Sequence, residues 1–566
     1  MKFRTWCCAA LPGIFLCGCG DCNPAPPQPG SPIPEGARVA DAYGDVMELD
    51  QGWTDDTQQA FYNTAQGSDI LPYSWILVLE QKDSDKAFLN PANIERFRYL
   101  PRKKTASNPD GMPVGWTKSK DASGKEWFGM ACASCHTGQI EYTNPQTKQK
   151  IGIRIDGAPT LADFNLMNLE LVAAMKATLA DPAKFDRFAK AVLKGTDSPD
   201  ARSGLRVELD FQTAALNTRN EINKTSYDYG FGRIDAIGFI FNQVMSTLPG
   251  IRENAMPSDA PASYPFLWGT DQSDVVQWTG FAANLDGAGV LVRNGGEVIG
   301  VYGKVKITTE DTYESSLLIE NLGKYEDWVR ELSPPAWPEP YLPPIDKAKA
   351  ALGKKVFADA CAQCHQVILR ADAMKTTYKA AITPIEQIGT DPTELSNINE
   401  RKYQAGIYKG RDKIGDPTTG VNPLINAVTG SLLRHPMESV KSLMDEYAAK
   451  TGLATNTVLG YKGRPLNGIW ATAPYLHNGS VPNLYEIVLP AAQRSKTFTL
   501  GSREYDPVRV GYSMDQSKTG DGYTPFTFDV SLKGNWNTGH EFLTTRKGVP
   551  FTEEQRWQLV EYMKSL

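Results

Sequence analysis

Apolar residues recur with the period of a helix in residues 347–360. Leu352 and Val356 lie four positions apart, and Ala351 and Phe357 flank them. Residues four apart share one helix face, and an apolar face needs a partner to be buried against. The pattern therefore predicts a helix that packs against another element through this face.

The last residues of the chain repeat this pattern. Trp557, Val560 and Met563 are three residues apart and form one stripe. Thr552 is followed three residues later by Gln555, which is the spacing of a capping box. The sequence therefore predicts a closing helix that begins after Thr552.

Weaker patterns predict other elements. Helical spacing occurs in 161–180 and in 236–245, whereas the alternation of Val298, Gly300 and Tyr302 within 296–307 indicates extended structure or a hairpin. Helical patterns are the more frequent. We therefore predict a mainly α fold with some β-hairpin structure.

A proline-rich segment divides the chain. Residues 333–344 contain six prolines, and such a run favours a domain junction. With 566 residues, 41% of them apolar and 22% charged, the chain is long enough for more than one globular domain. We predict an N-terminal domain at 46–340, enlarged by insertions, and a C-terminal domain at 341–566.

The N-terminus has the pattern of an export signal. Lys2 and Arg4 precede an apolar run that ends in small residues, and this run is too short to span a bilayer. The sequence LCGC resembles a lipoprotein cleavage box, so residues 1–18 are the predicted signal and Cys19 the predicted lipid anchor. Ordinary secretory cleavage, with Cys19 and Cys22 removed or paired, is the alternative.

The predicted destination is the periplasm, the cell surface or the medium. Residues 19–45 are rich in proline and are predicted to form a semi-rigid spacer, so the membrane is contacted only through the anchor. A net charge of -6 and the absence of a basic run exclude nucleic acid as a partner.

The cysteines outside the N-terminal region form two pairs. Five of the nine cysteines lie in or just after the signal, and the other four form two Cys-x-x-Cys-His motifs, Cys132-Cys135-His136 and Cys361-Cys364-His365. Two thiols on one turn would reach both vinyl groups of a haem, and the adjacent His would bind its iron. The motifs predict two covalently bound haem c groups. A disulfide, a zinc half-site and chance are the alternatives.

Few histidines remain as further iron ligands. Of the five His, only His435, His477 and His540 lie outside the motifs, and all three follow the second motif. A small cytochrome takes its sixth ligand from a loop before its closing helix, which is where His540 lies; His477 is the rival. A second imidazole would make that haem six-coordinate and suited to electron transfer.

The first haem has no such candidate nearby. No His lies between His136 and His365, so its distal side would hold Met, Lys, Tyr, water or nothing, and an open iron is the simplest outcome. Several aromatic residues would cover it: Phe266, Trp268, Trp278 and Phe281. Core packing is their ordinary role. We nevertheless take Trp268, as an electron relay, and Phe281, in the aromatic wall, as candidate catalytic residues.

The motifs resemble those of the di-haem cytochrome c peroxidase superfamily, and most closely its rubber-oxygenase branch, which includes di-haem fatty-acid dioxygenases. The similar stretches are CASCHTGQ at 132–139, RIDG at 154–157, GRIDA at 232–236, FLW at 266–268, RPLNGIW at 464–470, PYLHNGS at 474–480 and NTGHEF at 537–542. The resemblance implies two cytochrome c-like haem domains, with the active haem in the N-terminal one.

Two departures from the peroxidases favour the oxygenase branch. Where those enzymes place a Met ligand for the C-terminal haem, this chain has Ala491, and no His follows the first motif closely. In the rubber oxygenases the N-terminal haem holds dioxygen and the other haem has two His ligands. By this resemblance the second haem takes His365 and His540.

The predicted activity is haem-dependent oxygenation. Dioxygen would react at the haem of His136 with an unsaturated hydrophobic substrate, such as polyisoprene or a fatty acid. Arg154, Asp156, Arg233 and Asp235 anchor propionates or loops in this interpretation. Peroxide reduction with electrons from a small electron-transfer protein is one alternative, and a di-haem electron carrier without enzyme activity is the other.

Overall fold

Helices are more abundant than strands in the computed structural model, 40% against 17% of residues, as the sequence predicts. The structure describes residues 46–225, 227–284, 288–308, 313–433, 459–514, 523–541, 545–546 and 549–566. The predicted signal, the spacer and His435 lie outside these ranges. Within them, no helix combines the length and the apolar character needed to cross a membrane.

The helices follow one another along the whole described chain. They are α1 (Asp55–Asn63), α2 (Tyr73–Ile76), α3 (Pro91–Arg96), α4 (Phe164–Ala180), α5 (Pro182–Leu193), α6 (Pro199–Ile222), α7 (Ala236–Asn242), α8 (Ala288–Gly300), α9 (Ile319–Glu331), α10 (Lys347–Ala360), α11 (Ile385–Ile388), α12 (Thr393–Glu400), α13 (Val421–Leu433), α14 (Leu484–Ile487) and α15 (Glu553–Lys564).

The strands form small sheets. They are β1 (Val46–Glu48), β2 (Leu71–Pro72), β3 (Trp116–Lys120), β4 (Glu126–Met130), β5 (Thr137–Thr143), β6 (Lys150–Asp156), β7 (Arg233–Ile234), β8 (Ala262–Ser263), β9 (Val275–Val276), β10 (Ala282–Ala283), β11 (Val305–Ile307), β12 (Tyr313–Ser315), β13 (Ala381–Pro384), β14 (Gly460–Gly463), β15 (Thr497–Leu500), β16 (Tyr505–Asp506), β17 (Gly511–Tyr512), β18 (Phe526–Asp529), β19 (Thr545–Arg546) and β20 (Val549–Pro550). Three-stranded sheets have the orders β1-β6-β5 and β2-β4-β3, and the others are strand pairs such as β13-β14.

The two helices predicted most strongly pack against each other. α10 covers 347–360 as predicted, and α15 begins with the predicted Thr552–Gln555 capping box. Their close crossing depends on Gly353, where a Cβ would lie 1.9 Å from the carbonyl oxygen of Gln558. Phe357 and Tyr562 add an edge-to-face contact with ring centroids 5.2 Å apart. The helix before the second motif and the closing helix of the chain are therefore packed together, so the first has the packing partner that its apolar face predicted.

One hydrophobic core crosses the proline-rich segment. The largest buried cluster includes Trp53 from the N-terminal side and Trp470 and Val560 from the C-terminal side. The segment 333–344 is itself packed, since Trp337 is buried and the Pro335 carbonyl accepts a hydrogen bond from the Trp470 indole. The predicted junction is therefore a packed connection between two regions that share a core.

The hairpin predicted at 296–307 was wrong for its first half. Residues 296–300 are the end of α8, and only β11 at its end is extended, paired with β12. Val298 and Ile299 are both fully buried. At Gly300 the end of α8 packs closely on α7, since a Cβ there would lie 2.6 Å from the Ile240 side chain. In a strand with one buried face, neighbouring side chains point to opposite faces, so Val298 and Ile299 would not both be buried. In a helix that is enclosed on several sides, they can be.

A buried carboxyl cluster holds the sheet that follows the first motif. Glu48 of β1 lies beside Arg154 in the β1-β6 register, and Asp156 accepts hydrogen bonds from Gln58 and Tyr62 at 2.8 and 2.5 Å. Burial, followed by the charge of Asp156, raises the pKa of Glu48 to about 8. Glu48 is therefore uncharged at neutral pH in the folded protein.

Replacing Glu48 with Gln is expected to flatten the dependence of stability on pH. Glu48 in the folded protein keeps a proton that the unfolded chain releases near pH 4.5. The contribution of this proton to the free energy of unfolding is therefore fully present below that pH. It falls as the pH rises towards 8, by up to about 1.4 kcal/mol per pH unit. Urea unfolding of the Glu48→Gln protein at pH 5 and pH 8 measures this slope. Glu314→Gln, at an exposed position, is the control; equal slopes in all three proteins would refute the assignment.

Candidate functional site

The first motif forms a tight turn between β4 and β5. The backbone nitrogens of Cys135 and His136 donate to the carbonyl oxygen of Cys132 at 3.1 and 2.9 Å, so the three side chains belong to one turn. Gly115 passes close behind, where a Cβ would lie 2.0 Å from the nitrogen of Ser134. A strand therefore precedes the first motif, whereas a helix precedes the second motif.

The second motif directly follows α10 and makes the same turn. Cys364 and His365 donate to the carbonyl oxygen of Cys361 at 3.1 and 2.9 Å. β14 passes against it, and a Cβ on Gly463 would lie 2.5 Å from the carbonyl oxygen of Cys364. Because the preceding elements differ and the hydrogen bonds agree, the turn is a property of the motif itself.

Both motif histidines are oriented for metal binding. The Nδ1 of His136 lies 2.8 Å from the carbonyl oxygen of Pro265, and the Nδ1 of His365 lies 2.7 Å from that of Arg464. A carbonyl oxygen only accepts, so Nδ1 carries the proton and Nε2 keeps the lone pair that binds a metal. Burial lowers the pKa of His136 to about 4 and also lowers that of His365, which keeps both rings neutral.

The first motif faces a mainly apolar cavity of about 200 Å³, which we name cavity 1. Phe164 of α4, Ile240 of α7 and Val329 of α9 contribute to its walls. Among the described residues that line it, His136 is the only His and none is Met. Cavity 1 therefore offers no second imidazole or thioether as an iron ligand.

Cavity 1 also contains polar side chains that are paired with one another. Gln277 donates to Glu297 at 2.9 Å, and burial raises the pKa of Glu297. Arg293 and Asn294 both donate to the same oxygen of Glu326. All five residues line the cavity, so a carboxyl group with a raised pKa is present beside the first motif.

The second motif faces a separate cavity of about 170 Å³, which we name cavity 2. His365, His477 and His540 all line it, and so does Met563 of α15. The structure therefore brings together the motif histidine and both candidate ligands that the described residues contain. Among all the residues that the structure describes, no group of three or more His, Cys, Asp or Glu side chains is arranged to hold a metal ion.

The loop around His540 is held from several sides. The His540 nitrogen donates to the carbonyl oxygen of Ile388 at 3.0 Å, and Arg494 donates to that of Gly539 at 2.9 Å. Burial, followed by the electrostatic influence of His365 and Arg494, lowers the pKa of His540 to about 3. The imidazole is therefore neutral, as a metal ligand must be.

His477 occupies a different position in cavity 2. Its ring lies against Tyr461, with ring centroids 4.2 Å apart, and its carbonyl oxygen accepts from the Ser263 nitrogen at 2.8 Å. Burial lowers its pKa to about 4, although the charge of Asp391 opposes the shift. The structure thus leaves both His477 and His540 at cavity 2, and the choice of His540 stays a prediction.

The two cavities share a wall. Six residues line both of them: Ser263, Tyr264, Phe266, Trp278, Lys462 and Arg464. Trp278 donates through its indole nitrogen to the carbonyl oxygen of Ser263 at 3.0 Å. Any group that passes directly from one cavity to the other has to cross these side chains.

The two candidate catalytic residues lie outside the linings of both cavities. Trp268 lines neither cavity; it stacks on Phe266 with ring centroids 4.9 Å apart, and its indole donates to the Asn467 carbonyl oxygen at 2.7 Å. Phe281 also lines neither cavity and packs on a hydrophobic cluster that contains Phe241. Their proposed roles stay predictions, and Trp278 has the more direct position between the cavities.

The charged residues named from sequence have other partners. Arg154 donates to Gln139, and Arg233 donates to the carbonyl oxygens of Tyr229 and Asn478. Asp156 accepts from Gln58 and Tyr62, as described above, and Asp235 caps α7 through the nitrogen of Gly238. Of these four charged residues, only Asp235 lines cavity 1.

Sequence reasoning missed Lys462 and Arg464. Both lie in or next to β14 with one residue between them, so their side chains leave the same strand face. The available signal was the alternation Lys-Gly-Arg at 462–464, whose arginine is the first residue of the RPLNGIW stretch. Its meaning depends on the pairing of β14 with β13, which the sequence alone did not predict.

The residues at both cavities fit a haem c group. Each cavity has two thiols and an imidazole on one turn, and the imidazole keeps Nε2 free for iron. The walls are largely apolar, as a porphyrin requires, and two cations stand in the shared wall. Cys132, Cys135 and His136 would hold one haem, and Cys361, Cys364 and His365 the other.

Comparison with known proteins agrees with this chemistry. Residues 460–499, which include β14 and His477, match a family described as RoxA-like, cytochrome c-like; this match supports a haem- and iron-binding cytochrome of the di-haem class. An uncharacterized protein y4iM of Sinorhizobium fredii is 27% identical over 49% of this chain and 56% of its own. The uncharacterized protein y4iJ of the same organism is 30% identical over 92% of this chain and 93% of its own. The chain therefore belongs to the protein family of y4iJ.

Proposed function

We propose that the protein is an exported di-haem c-type cytochrome that uses dioxygen to oxygenate an unsaturated hydrophobic substrate. One observation carries this proposal. Cavity 2 has two imidazoles besides that of its motif, whereas cavity 1 has none and no Met among the described residues lining it. We therefore assign the reaction with dioxygen to cavity 1. To cavity 2 we assign an electron-transfer haem whose iron has two protein ligands.

The protein contributes mainly a shaped, dry pocket. A haem held at His136 would supply an iron that binds and activates dioxygen. Phe164, Ile237 and Ile240 give cavity 1 apolar walls, which exclude water and favour a hydrocarbon chain. Adding both atoms of dioxygen to a carbon–carbon double bond is balanced without an external reductant, so no electron donor is required for turnover.

Oxygen uptake by the purified exported protein tests this proposal. We expect uptake with polyisoprene or an unsaturated fatty acid and none with the saturated fatty acid of equal length. The product should contain both atoms of isotopically labelled dioxygen. Absence of uptake with every unsaturated substrate, from protein that contains haem, would refute the proposal.

A second candidate function is peroxide reduction, and one observation favours it. Glu297 is a partly buried carboxyl group with a raised pKa, held by Gln277 beside the first motif. Such a group can carry a proton during cleavage of an oxygen–oxygen bond, a contribution of about 100-fold or more. If the protein is a peroxidase, Glu297→Gln lowers peroxide-dependent oxidation of a reduced small cytochrome by that factor. The exposed Glu314→Gln is the matched control.

A further inference from the structure

Two cations stand in the wall between the cavities. Lys462 and Arg464 line cavity 1 and cavity 2 alike. Gly463, between them, faces the second motif, where a Cβ would lie 2.5 Å from the carbonyl oxygen of Cys364. The close contact at Gly463 and the two-residue period of a strand place both cations on the face away from that backbone.

Neither cation has an acidic partner within ion-pair distance in the described chain. The Lys462 ammonium donates to the carbonyl oxygen of Val275 at 3.2 Å. Arg464 donates to the carbonyl oxygens of Phe266 and Trp268 at 2.8 and 2.7 Å, and its Nε has no hydrogen-bond partner. These contacts hold both side chains in place without an acidic partner, and burial, with repulsion from Arg464, lowers the pKa of Lys462 well below its usual value.

Their neighbour Arg293, in contrast, has an acidic partner. Arg293 also lines cavity 1, but it forms an ion pair with Glu326, and both side chains are almost fully buried. Arg464 is only 6% exposed. Burying a charge is costly unless an opposite charge compensates it. Lys462 and Arg464 therefore lack the opposite charge that Glu326 gives to Arg293.

We propose that Lys462 and Arg464 form a cationic bridge that binds one propionate carboxylate from each of the two haems. The carboxylates would supply the opposite charges that the described side chains do not. The inference rests on the haem content in the proposed function and is independent of the dioxygenase reaction. A fatty-acid carboxylate has the same chemistry, and the experiment distinguishes it.

The bridge links the electron affinities of the two centres. A propionate stabilises the oxidised, more positive haem, and a cation bound to the propionate reduces that effect. Removing a cation that serves only one cavity would lower one midpoint potential. Removing a shared cation lowers both. A fall in both midpoint potentials therefore distinguishes a shared cation from a cation that binds the propionate of one haem only.

Spectroelectrochemical titration of the holoprotein tests the bridge. In Lys462→Met, the ratio of reduced to oxidised haem at a fixed potential is expected to fall on the order of tenfold for both haems. Lys462→Arg, which keeps the charge, should restore both potentials. Lys304→Met is the matched control, because Lys304 lies against Asp69 and Trp127 and lines neither cavity.

Haem content is measured first, so that failure of the two proposals is distinguishable. Protein without haem would refute the proposed function. Haem-loaded Lys462→Met protein in which only one midpoint potential falls, or neither, would overturn the bridge. If Lys462→Met does not fold, Lys462→Gln removes the same charge and keeps a polar end. Unchanged potentials with a higher KM for a fatty acid, but not for polyisoprene, would assign Lys462 to a substrate carboxylate and also overturn the bridge.

Discussion

Replacing Cys132 and Cys135 with Ser is expected to halve the covalently bound haem of the purified protein and to abolish oxygen uptake. Both thiols belong to the turn that presents His136 to cavity 1. Without them, the first haem would be held only by His136 and by non-covalent contacts. The mass of the denatured protein and its pyridine haemochrome spectrum measure the number of attached haems.

The second motif provides the matched variant. Cys361→Ser with Cys364→Ser should also leave one covalent haem, but this haem would be the one in cavity 1, still able to bind carbon monoxide. The Cys132/Cys135 variant should retain the haem that does not bind it. Equal binding of carbon monoxide by both double variants would contradict the division of roles between the cavities.

The closing pair of helices could be predicted from the sequence because local signals agreed there. α10 has the predicted bounds, and the capping box at Thr552 starts α15. A helix needs only its own periodicity and caps to be recognised. The close crossing at Gly353 was not evident, because it depends on a residue more than two hundred positions away.

The region 296–307 was mispredicted for the opposite reason. The region contains only the last turn of α8, which packs on α7, α9 and α13, whereas the polar residues Arg293 and Asn294 of that helix lie before it and face cavity 1. Tertiary packing therefore overrode the local pattern. β4, the strand before the first motif, was likewise not predicted from the sequence.

The motif residues of the candidate site could be read directly, whereas the shared wall could not. Covalent haem attachment requires a fixed local spacing, so Cys132 and Cys361 were evident without any structure. Trp278 and Lys462 are 184 positions apart in sequence and adjacent only because the Lys462 nitrogen donates to the Trp278 carbonyl oxygen at 2.8 Å. Contacts of this kind are set by the fold.

Replacing His540 with Gly is expected to open the second haem and to raise carbon monoxide binding from one to two molecules per chain. The substitution is mild for the backbone, because His540 has a φ of 58°, a conformation that glycine adopts without strain. The variant would therefore remove the imidazole and leave the loop in place. The low-spin signal of the second haem in electron paramagnetic resonance should be replaced by a high-spin one.

Added imidazole separates loss of the ligand from loss of structure. If His540 is the ligand, free imidazole should fill the space left in cavity 2, restore the low-spin signal and return carbon monoxide binding to one molecule. His477→Ala is the matched control, because His477 lines the same cavity, and it should keep the second haem low-spin. A low-spin second haem in His540→Gly without imidazole would instead assign the ligand to His477 or Met563, the other two candidates that face this cavity. An assignment to either residue would leave cavity 2 saturated and the contrast with cavity 1 intact, so the experiment tests the ligand separately from the division of roles.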